Sequence, residues 1–167
     1  MKKYLLYAAY GSNLLKKRLL AYIEGKDFKG RKHNGCSDRT SPEDYGWMYV
    51  PHRLYFAKNS SRWGNGGVAF LSCGRTDNPE MHAIVRLWKI SEIQFYEINQ
   101  QEGKGWYNKI LSFGEKDGLE IKTFTGCWEN SVNQPTEEYL DCIIKGIRET
   151  TGWDDERIKN YINNFLK

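Results

Sequence analysis

The 167 residues carry 25 Lys and Arg against 21 Asp and Glu, a net charge of +4 with the two signs interleaved along the chain. That length suits one compact unit spanning 1–167 better than two independent cores. The six Trp, 11 Tyr and seven Phe supply too much apolar surface for a chain disordered throughout. A charge this small and dispersed calls for no acidic partner and forms no basic stripe, so nucleic acid is not an expected partner.

Lys3 to Tyr10 is a near-continuous apolar and aromatic run ending at Gly11-Ser12-Asn13, the pattern of a central strand buried on both faces. It is too short to be a signal peptide or membrane span, and Lys16-Lys17-Arg18 follow it closely, so no membrane partner is expected. Leu14, Leu15, Arg18, Leu19, Tyr22 and Ile23 then recur at helical spacing, with Gly25 as the stop. Lys26 to Gly46 shows neither a period of two nor one of 3.6 and reads as a long loop, a candidate lid.

Three strand-like runs follow, Met48 to Ala57, Gly67 to Ser72 and Met81 to Ile90, separated by turn-rich segments. Ser91-Glu92-Ile93-Gln94 fits a capping box, predicting a helix over about 92–102 that ends at Gly103. Trp106 to Phe113 and Leu119 to Trp128 flank an Asp117-Gly118 hairpin signal. Tyr139, Ile143 and Ile147 mark one further helix, and Ile158, Tyr161, Ile162 and Phe165 mark another over about 154–166. Trp153 and Ile158 are spaced as a hydrophobic staple around an Asp154 cap.

Cys36, Cys73, Cys127 and Cys142 are widely spaced without a C-x-x-C pair, so reduced thiols in a cytoplasmic protein are expected. Of His33, His52 and His82, only His33 has a nearby ligand type, Cys36. No metal site is expected, and the histidines read as surface residues. Ser12 lacks the flanking glycines of a nucleophile elbow. The backbone amides of Gly11, Ser12 and Asn13, expected at a helix start, are better placed to attract a carboxylate or a developing oxyanion, although the stretch taken alone reads as an ordinary strand-to-helix turn. Glu102 is predicted at a helix C-terminus beside Trp106 and Tyr107. Dipole and desolvation both raise a carboxyl pKa there, as a general acid/base requires, while composition alone favours a solvated last-turn glutamate.

Tyr7-Ala8-Ala9-Tyr10-Gly11-Ser12-Asn13-Leu14, Gly66-Gly67-Val68-Ala69 and Gln101-Glu102-Gly103 followed by Trp106-Tyr107 resemble the γ-glutamylcyclotransferase family in order and spacing, over about 3–146. The resemblance implies an α+β fold, a mixed, barrel-like β-sheet with peripheral helices and a cavity at one barrel end. It implies conversion of a small-molecule γ-glutamyl substrate to 5-oxoproline by attack of its α-amine on its own γ-carbonyl, with no cofactor, by a monomer or homodimer. Glu102 falls on the family's catalytic glutamate. Tyr7, Tyr10, Gly11, Ser12 and Asn13 fall on its substrate loop, and Tyr107 on a tyrosine that binds substrate or fixes the glutamate rotamer. Asn13 stands where the glutathione-specific branch is expected to carry leucine, so a γ-glutamyl amine or γ-glutamyl amino acid is the preferred substrate. The 26–46 segment, Trp47 and the Trp63 loop are expected to line the leaving-group side. The alternative on the same fold is a module that binds a γ-glutamyl compound or amino acid without catalysis.

Overall fold

The computed structural model describes residues 1–166. Strand β1 (Tyr4–Ala9) buries every residue from Leu5 onward and occupies the middle of a five-stranded sheet. Its neighbours are β5 (Ala83–Ser91), antiparallel, and β7 (Leu119–Thr125), parallel. Outside these lie β2 (Glu43–Val50) and β6 (Lys109–Lys116). The β6–β7 turn places Asp117 at φ 53° and Gly118 at φ 77°, the left-handed pair that an Asp-Gly hairpin signals.

A second sheet pairs β3 (Leu54–Ser60) with β4 (Gly66–Leu71). The expected single strand over 48–57 is therefore two, separated at Pro51 to Arg53. The sheets do not close into a barrel. Side chains bridge the gap instead: the Thr125 hydroxyl accepts from Leu71 N and donates to Leu71 O, both at 2.8 Å. Tyr107 donates to Ala69 O at 3.0 Å, and Tyr139 accepts from Ala69 N at 2.9 Å.

Among the described residues, four α-helices surround the sheets. Helix α1 (Lys16–Glu24) stops at left-handed Gly25. Helix α2 (Glu92–Gly103) begins in the expected capping box: Ser91 Oγ accepts from Gln94 N, and Gln94 Oε1 accepts from Ser91 N. Helix α3 (Glu137–Thr151) is capped by Thr136, and α4 (Asp155–Asn163) by Asp154. No helix among the described residues is long and apolar enough to cross a membrane.

The 26–42 segment is fastened rather than free. Gln94 donates to Asp38 O and Thr40 O, Gln101 to Cys36 Sγ, and Ser37 binds the Glu97 carboxylate. Arg39 closes it onto Glu24 O. The expectation of four reduced thiols is corrected too: Cys73 and Cys127 form a disulfide with Cα atoms 5.8 Å apart. They are 54 residues apart in the chain, but follow β4 and β7, which Thr125 joins. Cys36 and Cys142 are buried free thiols.

A short 3₁₀ turn, Ser12–Leu14, leaves β1 and is gripped on all sides. Trp88 Nε1 donates to Asn13 O at 3.0 Å, Arg86 to Leu14 O at 2.8 Å, and Lys16 N to the Glu149 carboxylate at 2.8 Å. Arg86 is itself buried between Asp44 and Glu149. Gly146 of α3 lies so close that a Cβ there would stand 2.7 Å from Leu14 Cβ and Leu15 N. Helix propensity alone favours Gly146→Ala by about 1 kcal/mol, while overpacking costs about 1–3 kcal/mol. The variant is expected to be less stable than the parent in urea unfolding; a raised midpoint would show that the turn yields freely.

Candidate functional site

One cavity of about 420 Å³ collects every residue that the family resemblance assigned to catalysis or substrate binding: Tyr7, Tyr10, Gly11, Ser12, Asn13, Glu102 and Tyr107. Strand β1 and its turn bring the first five, and the last turn of α2 brings Glu102. Gly103 O then accepts from Tyr107 N at 3.0 Å, and Asn99 Nδ2 donates to Tyr107 O at 2.9 Å, fixing the loop beyond the helix. Trp106 and Tyr107 thus lie in this loop, before β6, rather than in a strand.

Asn13 Nδ2 donates to Glu102 Oε1 at 2.7 Å and to the Tyr7 hydroxyl at 3.0 Å. Asn13 Oδ1 is buried without a partner, so the amide is turned to serve the carboxylate at its own cost. Glu102 as a residue is half-buried, because it borders an open cavity, while its carboxyl is enclosed by protein. Burial raises its pKa from 4.5 to about 7, against the lowering influence of Arg18, Arg62, Asn13 and Tyr22. Burial also pushes the phenols of Tyr7, Tyr10 and Tyr107 well above their ordinary value, which keeps them protonated at neutral pH.

Those phenols are mostly engaged already. Tyr10 donates to Phe124 O at 2.9 Å and Tyr107 to Ala69 O at 3.0 Å, so Tyr107 supports the wall and does not fix the Glu102 rotamer. The turn differs from expectation as well. Gly11 leads into the 3₁₀ turn that contains Ser12 and Asn13, and extended Leu15 separates that turn from α1. Their amides therefore do not form the first turn of a long helix.

Sequence reasoning missed the residues behind Glu102. Arg18 is 1% exposed; it donates to Tyr22 Oη at 2.6 Å and contacts His33 Nε2. Arg62, on the turn between β3 and β4, donates to the same hydroxyl at 3.1 Å. The available signal was Arg18 standing in phase with the apolar positions of its helix. Lys58, left-handed at φ 67°, sits at a register shift between Ala57 and Ser60 that turns Asn59 to Trp63 over the cavity.

The expected leaving-group wall is only partly right. Trp63 lines the cavity and no residue of 26–47 does; Trp47 packs on Tyr49 and Trp153, 5.6 Å from each ring. His33 and His52 are buried rather than superficial. Among the described residues, no group of three or more His, Cys, Asp or Glu side chains is arranged to hold a metal ion.

No family model matches the sequence. A solved γ-glutamyl cyclotransferase superimposes with a TM-score of 0.69 at 20% identity, over 96% of this chain and 87% of that one. The chain has the γ-glutamylcyclotransferase-like fold. An uncharacterized protein from Homo sapiens shares this fold with a TM-score of 0.68 at 22% identity, covering 95% of this chain and 86% of that one. YkqA from Bacillus subtilis gives 0.63 at 17%, covering 99% and 56%. In sequence, the chain is 28% identical to histone deacetylase 5 of Arabidopsis thaliana over 96% of its own length, and spans 30% of that protein.

The raised Glu102 pKa has a signed effect on stability. Between pH 4.5 and about 7 the unfolded chain ionises this carboxyl while the folded chain keeps it protonated, so its contribution is lost as pH rises through that window. Glu102→Gln removes the dependence. In paired urea titrations, the variant should gain on the parent between pH 4.5 and 7 and hold that advantage above; a constant difference would mean an unshifted carboxyl.

Proposed function

We propose that the cavity binds a γ-glutamyl compound and releases 5-oxoproline and a free amine. The observation that carries this reading is the 2.7 Å contact between Asn13 of the Tyr-Gly-Ser-Asn turn and the enclosed carboxyl of Glu102, whose pKa burial raises to about 7. A carboxyl at that pKa both takes and returns a proton near neutrality. Fold alone leaves chemistry open.

In the proposed reaction, Glu102 takes a proton from the substrate α-ammonium. The freed amine attacks the γ-carbonyl, and the N–Cγ bond to the leaving group breaks after tetrahedral addition. Two protons leave the α-nitrogen in all and two arrive on the departing amine, so neither water nor a co-reactant is consumed. Amides of Gly11 to Asn13 are the candidates for holding the oxyanion. Because nucleophile and electrophile belong to one molecule, the cavity need only fold it into a near-attack shape, drawing on the roughly 7–11 kcal/mol available to ideal intramolecular reactions.

Among the described residues, Arg62 and Glu102 are the only basic or carboxylic side chains lining the cavity. Arg62 stands on its outer lip beside exposed Asn59 and Ser61, suiting a leaving group that carries a carboxylate. A panel of γ-glutamyl amino acids and γ-glutamyl amines is the direct test, read as 5-oxoproline formed. Turnover by the parent and a loss of about 10²–10⁴-fold in Glu102→Gln are expected. Binding of a γ-glutamyl compound without its consumption would instead favour the non-catalytic module.

A further inference from the structure

The cluster behind Glu102 has a direction that follows from its chemistry. Arginine only donates hydrogen bonds. His33 Nε2, in contact with Arg18 Nη1, is therefore the unprotonated ring nitrogen, and Nδ1 donates to Lys26 O at 3.1 Å. Tyr22 Oη accepts from Arg18 at 2.6 Å and from Arg62 at 3.1 Å, which occupies both its lone pairs. Only its proton remains to be placed, and the Glu102 carboxyl lines the same cavity.

We propose that Tyr22 is a positioning residue for Glu102, its hydroxyl proton aimed at the carboxylate because Arg18 of α1 and Arg62 of the β3–β4 turn occupy its acceptor sites. Asn13 and Tyr22 then hold Glu102 as two fixed donors, one from the β1 turn and one from α1. The ionised form is kept within reach despite burial, and the carboxyl plane is held while a proton comes and goes. The two arginines arrive on independent segments, α1 and the β3–β4 turn. Arg31 Nη2 steadies the latter through Ser61 O at 3.0 Å. Rings of Tyr22, Phe28 and Trp63 lie 4.2, 5.2 and 5.3 Å from the Arg18 guanidinium, so this cation stays in place without a carboxylate of its own.

The titratable and charged groups around Glu102 are Arg18 and Tyr22 of α1, Arg62 of the turn, and the phenols of Tyr7, Tyr10, Tyr107 and Tyr139, with His33 behind Arg18. Two of these phenols are accounted for as donors to backbone carbonyls, Tyr10 and Tyr107. Tyr139 accepts from Ala69 N, and Tyr7 accepts from Asn13. Tyr22 alone has two cationic donors behind it.

The catalytic consequence rests on the cyclotransferase reading, but the titration of Glu102 does not. In Tyr22→Phe, the carboxyl ¹³C resonance of Glu102, assigned by its absence in Glu102→Gln, should titrate about one unit higher than in the parent. Arg62→Gln, on a half-exposed turn, should move the midpoint the same way and covers the case in which Tyr22→Phe fails to fold. With 5-oxoproline as readout in Tyr22→Phe, the acid limb of kcat/KM should follow the resonance, giving about a tenfold loss well below the midpoint that disappears at high pH. A loss equal at all pH values in Tyr22→Phe, or midpoints unmoved in both variants, would overturn the proposal. A parent that makes no 5-oxoproline while its Tyr22→Phe midpoint still moves would overturn the cyclotransferase reading and leave the positioning role supported.

Discussion

The hydrogen bond from Asn13 to Glu102 joins the two halves of the site, and most of the fold serves to place its ends. One end is a 3₁₀ turn held by Trp88, Arg86, Glu149 and the bare flank of Gly146. The other is the last turn of a helix whose first turn is locked by a reciprocal cap. A central strand, a capped helix and a close helix contact thus converge on one 2.7 Å distance.

Enclosing a carboxyl costs free energy, and the cavity wall sets how much of that cost remains. Burial drives the pKa upward, while two arginines and two hydrogen-bond donors draw it back, leaving it near neutrality. Either influence alone would leave a group fixed in one protonation state. Arg18 is also buried, but its guanidinium is shared among His33, Tyr22 and three aromatic faces. A carboxylate paired directly with Arg18 would have cancelled the influence that reaches Glu102.

Features encoded locally were legible in the sequence. The apolar run of β1, the Ser91–Gln94 cap, the Gly25 stop and the Asp117-Gly118 turn each depend on a few neighbouring residues, and each forms as read. Glu102 stood out through the family resemblance of Gln101-Glu102-Gly103, since a helix-end glutamate taken alone reads as a solvated one. What escaped depends on partners distant in sequence. Tyr107 meets β4 and not Glu102, Trp47 packs on Trp153, and the Cys73–Cys127 pair exists because two strand ends meet. Lys58 was unreadable for another reason: a lysine carries no local preference for the left-handed backbone that bends its strand over the cavity.

The disulfide divides the chain in an instructive way. Its 54-residue separation encloses β5, α2 and the β6–β7 hairpin, hence Glu102. Asn13, Tyr22, Arg62 and Tyr139 all lie outside that covalent ring. The cavity is therefore a seam between a ring and the two arms that leave it, and neither part holds a complete site. Opening the ring removes no side chain from the cavity; it enlarges the unfolded ensemble from which the seam must be closed. Redox conditions would then act on how often the site is assembled, leaving the chemistry of the assembled site unchanged.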